Sequence, residues 1–175
     1  MSSPSSKTIL ATIAAATLCG SAAAGLGDEL PVEFTMAFTS ESLGAVVLTQ
    51  VFDAEVDISG VTFEDGAGMF DVANPGYDFF FSDLDVSLLN DTITGTGDAL
   101  LESFEGDTFF DFSFDGFGTA WDGTSAEGIG FIQFTPEGGF TVDTHEIAWS
   151  VVVVPAPSVL AVLALAGAGS RRRRD

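Results

Sequence analysis

Basic side chains are almost absent from this 175-residue chain, which has five Lys and Arg residues against 26 Asp and Glu. The five lie at the two ends, as Lys7 and the four arginines of residues 171–174. Every acidic residue except Asp175 lies between them, so residues 25–170 carry 25 carboxylates and no Lys or Arg, a net charge of −25. A surface of this charge repels phosphate backbones, and nucleic acid is not an expected partner.

Cysteine and histidine occur once each, as Cys19 and His145. A disulfide is therefore not expected between residues 25 and 170. A Ser-His-Asp arrangement is formally available to His145, but no nucleophile-elbow motif surrounds any serine. The abundant carboxylates always include pairs at separations that a hydrolase could use, so they single out no catalytic pair. We therefore predict a protein that is not an enzyme, with an extracellular hydrolase as an alternative.

Residues 1–24 have the composition of a secretory signal peptide. A polar start with Lys7 is followed by an apolar run over residues 9–18 and by small residues up to Ala24. This order predicts export, with signal peptidase cutting after Ala24 and reading the small side chains of Ala22 and Ala24.

Residues 151–175 form a second segment with the composition of a targeting signal. A helix can begin only at about Ser158, because Pro155 and Pro157 cannot occupy a helix interior. Residues 158–170 would then form a short hydrophobic helix of about 20 Å, against a hydrocarbon core of about 30 Å. Four arginines at its end predict a cytoplasmic C-terminus and an anchorage in the membrane, with the acidic region outside.

This C-terminal segment resembles the PEP-CTERM sorting domain of exported bacterial proteins. The resemblance is carried by the proline motif, by the apolar run that follows it and by the terminal arginines: Val154, Pro155, Ala156, Pro157, Arg171, Arg172, Arg173 and Arg174. Ala156 stands where the motif of that family has Glu. The resemblance implies an exosortase-like membrane enzyme as a partner and a cell-surface or extracellular-matrix location. It also implies a setting in which exopolysaccharide is made.

Between the two segments, apolar residues alternate with polar ones. Val32, Phe34 and Met36 share one face of a predicted strand, and similar runs recur near residues 52–58, 84–88, 110–114 and 147–153. Alternation with a period of two predicts strands with one buried and one wet face, as in antiparallel sheets. We therefore predict that residues 25–150 form a single all-β domain, an antiparallel β-sandwich or jelly roll.

Turns and bulges are predicted from glycine, proline and changes of parity. The predicted turns are Asp65-Gly66, Asn74-Pro75-Gly76, Gly95-Thr96-Gly97, Asp115-Gly116, Asp122-Gly123 and Pro136-Glu137-Gly138-Gly139. The alternation changes parity near Phe81–Ser82 and near Thr144–His145, and both places are predicted to be bulges or bends.

Carboxylates at alternate positions suggest a site for a hard cation. Asp53, Glu55 and Asp57 are predicted to project from one strand face, and Ca²⁺ is the cofactor that such oxygens would hold. The opposing interpretation is a solvated strand face, because no EF-hand glycine or final glutamate follows. Similar rows occur at Asp83 and Asp85 and at Asp111 and Asp115. A site built between strands from several rows remains open.

Aromatic side chains suggest a sugar-binding alternative. Trp121 lies in a loop rich in Gly and Asp and is the candidate for stacking on a sugar ring, whereas Trp149 shares the parity of core residues. Two functions are therefore expected from the sequence. The first is an exported surface or matrix protein without catalytic activity. The alternative is a Ca²⁺- or carbohydrate-binding, lectin-like module that is delivered in the same way.

Overall fold

Eight strands make up the fold in the computed structural model, which describes residues 27–139 and 142–155. Each strand is 11 to 13 residues long, and neighbours along the chain are joined by short loops. The strands are β1 (Asp28–Ser40), β2 (Gly44–Val56), β3 (Gly60–Val72), β4 (Tyr77–Leu89), β5 (Thr92–Ser103), β6 (Thr108–Gly118), β7 (Ser125–Pro136) and β8 (Asp143–Val153).

The strands close into one antiparallel barrel. Each pairs with its neighbours in sequence, and β1 pairs with both β2 and β8, so that Phe34 lies opposite Gln50 on one side and Val151 on the other. The all-β prediction is confirmed, since the described residues contain no helix. The expected β-sandwich or jelly roll is wrong. Alternation shows only that each strand has one buried face. The strands of a closed barrel and those of two packed sheets both have one, so the pattern does not distinguish the two folds.

The interior of the barrel is filled by side chains. One continuous cluster of buried apolar residues draws on all eight strands, and phenylalanine rings dominate it. Phe70 lies at the centre of several ring contacts, with ring centroids 4.8 Å from Phe79 and 5.3 Å from Phe81. Offset and edge-on contacts of this kind add stability beyond the burial of area. An eight-stranded barrel leaves just enough space for such a filling.

Two of the predicted turns lie inside strands instead. Gly95 and Gly97 belong to β5 and Gly116 to β6, all with inward-facing α-carbons. A Cβ atom at Gly95 would come within 2.3 Å of the Phe114 ring. These glycines therefore give room to aromatic rings, and they do not reverse the chain. The predicted turns at residues 74–76, 122–123 and 136–139 do connect strands.

The two predicted bulges have different outcomes. The register of β4 shifts between Ser82 and Asp85, which confirms the bend expected near Phe81–Ser82. By contrast, β7 and β8 pair without a shift from Phe134 opposite Asp143 onward, so the bulge near Thr144–His145 is wrong. The Asp65-Gly66 pair, predicted as a turn, also lies inside a strand, where β3 shifts register against β4.

The barrel has two different rims. At one rim β1 begins and β8 ends, and we call it the terminal rim. It also carries the loops of residues 57–59, 90–91 and 119–124. The distal rim carries the loops at 41–43, 73–76 and 104–107, together with residues 137–139 that follow β7. The predicted signal peptide, Ala156, Pro157, the apolar run and the terminal arginines lie outside the described residues. Within the described ranges, no helix could span a membrane.

Candidate functional site

A shallow groove crosses the outer face of β4 to β7, and we call it the carboxylate groove. Its volume is about 330 Å³. An adjoining hollow of about 470 Å³ shares Thr96 and Ser113 with it and adds Glu64, Asp85 and Asp115. The groove itself is lined mainly by polar side chains: Asp83, Thr96, Asp98, Asp111, Ser113, Gln133 and Thr135, with Gly97 and Phe112 at its floor.

The depth of the groove follows from short side chains and from a bulge. The outward side chains of this region are short, since β5 presents Thr94, Thr96 and Asp98 and the facing strand β6 presents Asp115, Ser113 and Asp111. On β4, Asp83 has a φ of 50° within the register shift between Ser82 and Asp85. A bulge of this kind bends its strand and strengthens the local twist. The two features together make the outer face concave.

The register brings two carboxylates of the groove face to face. Asp98 lies directly opposite Asp111, and Thr96 lies opposite Ser113. Like charges at directly opposite positions of an antiparallel pair destabilise the sheet. Residues 27–155 contain no Lys or Arg that could compensate them, so the repulsion can be reduced only by cations from the medium.

The predicted metal-binding row is divided by the structure. Asp53 and Glu55 are exposed on the outer face of β2, whereas Asp57 lies beyond the end of that strand. One carboxylate oxygen of Asp57 already accepts hydrogen bonds from the backbone N–H and hydroxyl of Ser59 and from the N–H of Gly60. Nowhere in the described part of the chain do three His, Cys, Asp or Glu side chains lie close enough to share a metal ion.

Two carboxylates of the terminal rim close their own loops. The hydroxyl of Ser59 is the largest of the causes that lower the pKa of Asp57. In the same way the pKa of Asp122 is lowered, first by the hydroxyl of Thr124 at 2.7 Å and then by the backbone N–H of Ser125. A carboxylate that accepts several hydrogen bonds is favoured in its charged form. Both residues therefore stabilise loops and are not free ligands.

The Asp122 loop predicts a pH-dependent stability difference. Because its folded-state pKa lies below the ordinary value of 3.8, the charged Asp122 stabilises the fold at higher pH, and this is lost as pH falls through the folded value. The melting-temperature difference between the natural chain and Asp122→Asn should be largest near pH 7 and shrink below about pH 4. Thr124→Val should reduce the same difference. A difference that stays constant from pH 7 to 3 would contradict this account.

Trp121 is buried at the terminal rim of the barrel, so the prediction of an exposed stacking residue is wrong. Its side chain is only 8% exposed. The indole Nε1–H donates to the carbonyl of Asp57 at 3.0 Å, and its backbone N–H donates to the carbonyl of Asn90 at 2.7 Å. Trp121 thus joins three loops of the terminal rim and closes the core beneath them. Neither face of its ring is free for a sugar.

His145 lies on β8 within the aromatic core near the distal rim. Its ring stacks on Phe38 at a centroid distance of 5.2 Å, and Nε2 lies 3.0 Å from a carboxylate oxygen of Asp143. The two residues are two positions apart on one strand, and Asp143 is mostly exposed. This contact is a local pair along a strand that orients the imidazole against its aromatic neighbour.

The pairing of Asp98 with Asp111 was not predicted from the sequence. The sequence indicates the row containing Asp111 and Asp115, but it predicts a turn in the glycine-rich segment that precedes Asp98. A continuous strand through Gly95 and Gly97 would have restored the alternation of Thr94, Thr96 and Asp98. Even so, the register between β5 and β6 is a tertiary property that alternation does not contain.

Comparisons with known proteins do not assign this chain to a family. No protein-family model matches the sequence, and no curated protein matches it significantly.

Proposed function

We propose that this chain is an exported cell-surface or extracellular-matrix protein without catalytic activity. A signal peptide over residues 1–24 directs its export. The part of the segment 151–175 that follows β8 holds it at the membrane, at least transiently, for an exosortase-type enzyme, and the barrel is the part displayed outside. Its setting would be an exopolysaccharide-associated matrix.

The observation that carries this proposal is the position of the two chain ends on the barrel. Val32 of β1 pairs with Val153 of β8, and the N–H of Val154 donates to the carbonyl of Pro31 at 2.8 Å. The described chain therefore begins and ends at adjacent points of the terminal rim, next to the two segments that we propose for targeting. A barrel held by this rim would present its distal rim and its outer wall to the surroundings.

The interior also supports a role without catalysis. Its contents are apolar side chains, and the buried side-chain polar atoms in the described region all have hydrogen-bond partners. His145, with Asp143 as its partner, is engaged in a local contact. Catalytic groups usually need a cleft with perturbed pKa values, whereas the two shifted carboxylates of this barrel close loops.

Intact-mass analysis of the protein from its native host tests the proposal. In extracellular fractions we expect an N-terminus near Gly25 and loss of the residues that follow about Pro157. In a control chain with R171Q, R172Q, R173Q and R174Q, the defined C-terminal cut should disappear. An intact arginine tail confined to the membrane fraction would indicate a simple anchor and would contradict exosortase processing.

A second candidate is cation or polysaccharide binding in the carboxylate groove. The observation that favours it is the direct opposition of Asp98 and Asp111, with the hydroxyls of Thr96 and Ser113 beside them. A Ca²⁺ ion there would take two carboxylates and complete its coordination with hydroxyl and water oxygens. Polar side chains on a concave surface would also suit the hydroxyls of a glycan.

A melting experiment with charge-matched variants tests this candidate. Ligand binding to the folded state should raise its stability by about 2.7 kcal/mol at a Ca²⁺ concentration one hundred times Kd. Asp98→Asn should abolish the rise, whereas Asp53→Asn, which removes the same charge outside the groove, should retain it. Equal losses in both variants would mean general screening of the acidic surface. The same pair of variants applies to a glycan titration.

A further inference from the structure

Three large apolar side chains are exposed at the terminal rim. Ile58 in the β2–β3 loop is 79% exposed, Leu89 at the end of β4 is 57% exposed, and Phe117 near the end of β6 is 66% exposed. Leu89 and Phe117 both lie opposite Thr92 of β5. Since neighbouring strands are about 4.8 Å apart, these two side chains are about 10 Å apart on the same outer surface. Ile58 lies in the loop before β3, so the three residues follow the strand order β3 to β6 as an arc along one part of the rim.

The loops beneath this arc are held together by hydrogen bonds. The N–H of Asn90 donates to the carbonyl of Ser59 at 2.7 Å, and the carbonyl of Asn90 accepts from the N–H of Trp121. The N–H of Gly118 donates to the carbonyl of Asp91 at 2.8 Å. The β2–β3, β4–β5 and β6–β7 loops thus form one connected platform. Ile58, Leu89 and Phe117 are therefore exposed on loops and strand ends that hydrogen bonds hold in place.

The length of chain between the barrel and the C-terminal apolar run limits how far this rim can lie from a membrane. Pro155 is the last described residue, and the apolar run begins at Ser158. Three residues span at most about 10 Å. A headgroup layer is about 5–8 Å thick on each side of the hydrocarbon. If the run enters the bilayer, the part of the terminal rim where β8 ends lies at or within the headgroup layer.

We propose that the terminal rim is a lipid-contact surface, in which Ile58, Leu89 and Phe117 enter the boundary between headgroups and acyl chains. This inference rests on the proposed membrane anchorage of the C-terminal segment. Apolar side chains at this depth leave water, as in proteins that lie on membrane interfaces. The contact would fix the orientation of the barrel and direct its distal rim outward.

Charge selects the kind of lipid that this surface would contact. Asp57, Asp91 and Asp122 lie on the same rim, and the described part of the chain has no Lys or Arg to attract anionic headgroups. Asp57 and Asp122 are turned into their own loops by hydrogen bonds. A zwitterionic surface such as phosphatidylcholine is therefore the expected partner, and anionic lipid should weaken the contact.

Spin labels on the full-length chain test this proposal. In a Cys19→Ser background, single cysteines are placed by Ile58→Cys, Leu89→Cys or Phe117→Cys, and each protein is reconstituted into phosphatidylcholine vesicles. The control is Phe104→Cys on the distal rim, where the natural side chain is fully exposed. Collision with a water-soluble relaxation agent should fall severalfold on reconstitution for the three rim labels and remain unchanged at position 104.

The possible outcomes separate this inference from the proposed anchorage. Protein that floats with the vesicles while all four labels remain equally accessible to the aqueous agent would overturn the lipid-contact surface and leave the anchorage standing. Protein that does not float with the vesicles would overturn both. Vesicles with added phosphatidylglycerol should show a smaller protection at the three rim labels, and greater protection there would contradict the zwitterionic preference.

Discussion

Replacing Trp149 by alanine is expected to lower the free energy of unfolding by about 3–5 kcal/mol. Trp149 on β8 is 1% exposed, and its indole Nε1–H donates to the carbonyl of Ile129 at 3.3 Å. The ring lies over two glycines, since a Cβ atom at Gly116 or Gly128 would come within about 2.7 Å of indole atoms. Alanine would leave a cavity that glycine backbones cannot fill, and it would remove the donor to Ile129.

Chemical denaturation measures this loss. Trp149→Phe keeps most of the volume and should show a smaller decrease than Trp149→Ala. Phe117→Ala is a matched control, because Phe117 is 66% exposed on the outer surface, and its removal should change stability by about 0.5 kcal/mol or less. Equal effects of Trp149→Ala and Phe117→Ala would mean that the indole does not fill the core as described.

Replacing Gly130 by alanine is expected to destabilise the barrel by about 3 kcal/mol, the upper end of the range for overpacking. A Cβ atom at Gly130 would lie 2.0 Å from the carbonyl oxygen of Asp115 and 2.6 Å from the α-carbon of Gly116. Both atoms belong to the backbone of β6, so rotation of a side chain cannot relieve the clash. One added methyl group would therefore force β6 and β7 apart.

A loop glycine provides the control for this substitution. Gly76 lies between β3 and β4, and a Cβ atom there would meet nothing closer than 3.5 Å. Gly76→Ala should therefore change the free energy of unfolding by about 0.5 kcal/mol or less. The two variants differ in the space around the new methyl group. If Gly130→Ala were tolerated as well as Gly76→Ala, the close approach of β6 to β7 would be wrong.

Trp149→Ala and Gly130→Ala both test how large and small residues pack inside the barrel. Small inward residues on β5, β6 and β7 stand next to large aromatic residues on β6 and β8, so neither set fits without the other. Gly95 lies under Phe114 in the same way that Gly116 lies under Trp149. Alternation of small and large interior residues is how a narrow barrel accommodates aromatic rings. Its stability therefore depends on glycines that leave room for these rings.

The exterior of the barrel is acidic, whereas its interior is apolar. In the described residues His145 contacts the carboxylate of Asp143, and there is no Lys or Arg with which ion pairs could form. Cross-strand neighbours of like charge, such as Glu29 opposite Glu55, are therefore compensated only by ions from solution. The repulsion between these carboxylates therefore opposes folding, and salt in the surroundings reduces it.

Local pattern was sufficient for some of these features. Alternation identified the inward residues of β1, including Phe34, because a period of two depends only on the geometry of an extended chain. It also located the bend near Ser82 through a change of parity. It failed at Gly95, Gly97 and Gly116, because a glycine that reverses the chain and one that makes room for a ring look alike in sequence.

By itself, the sequence determined the class of fold, the inward and outward faces of the strands, and the acidity of the exterior, since these follow from local periodicity and composition. Its predictions for the two terminal segments likewise depend on composition alone. Only the tertiary structure decided that the sheet closes, that Trp121 is buried, and that Asp98 faces Asp111. Each of these depends on which strands pair and in what register. Strand pairing and register are set by side chains that are distant in sequence and that pack together, many of them aromatic, in a single interior.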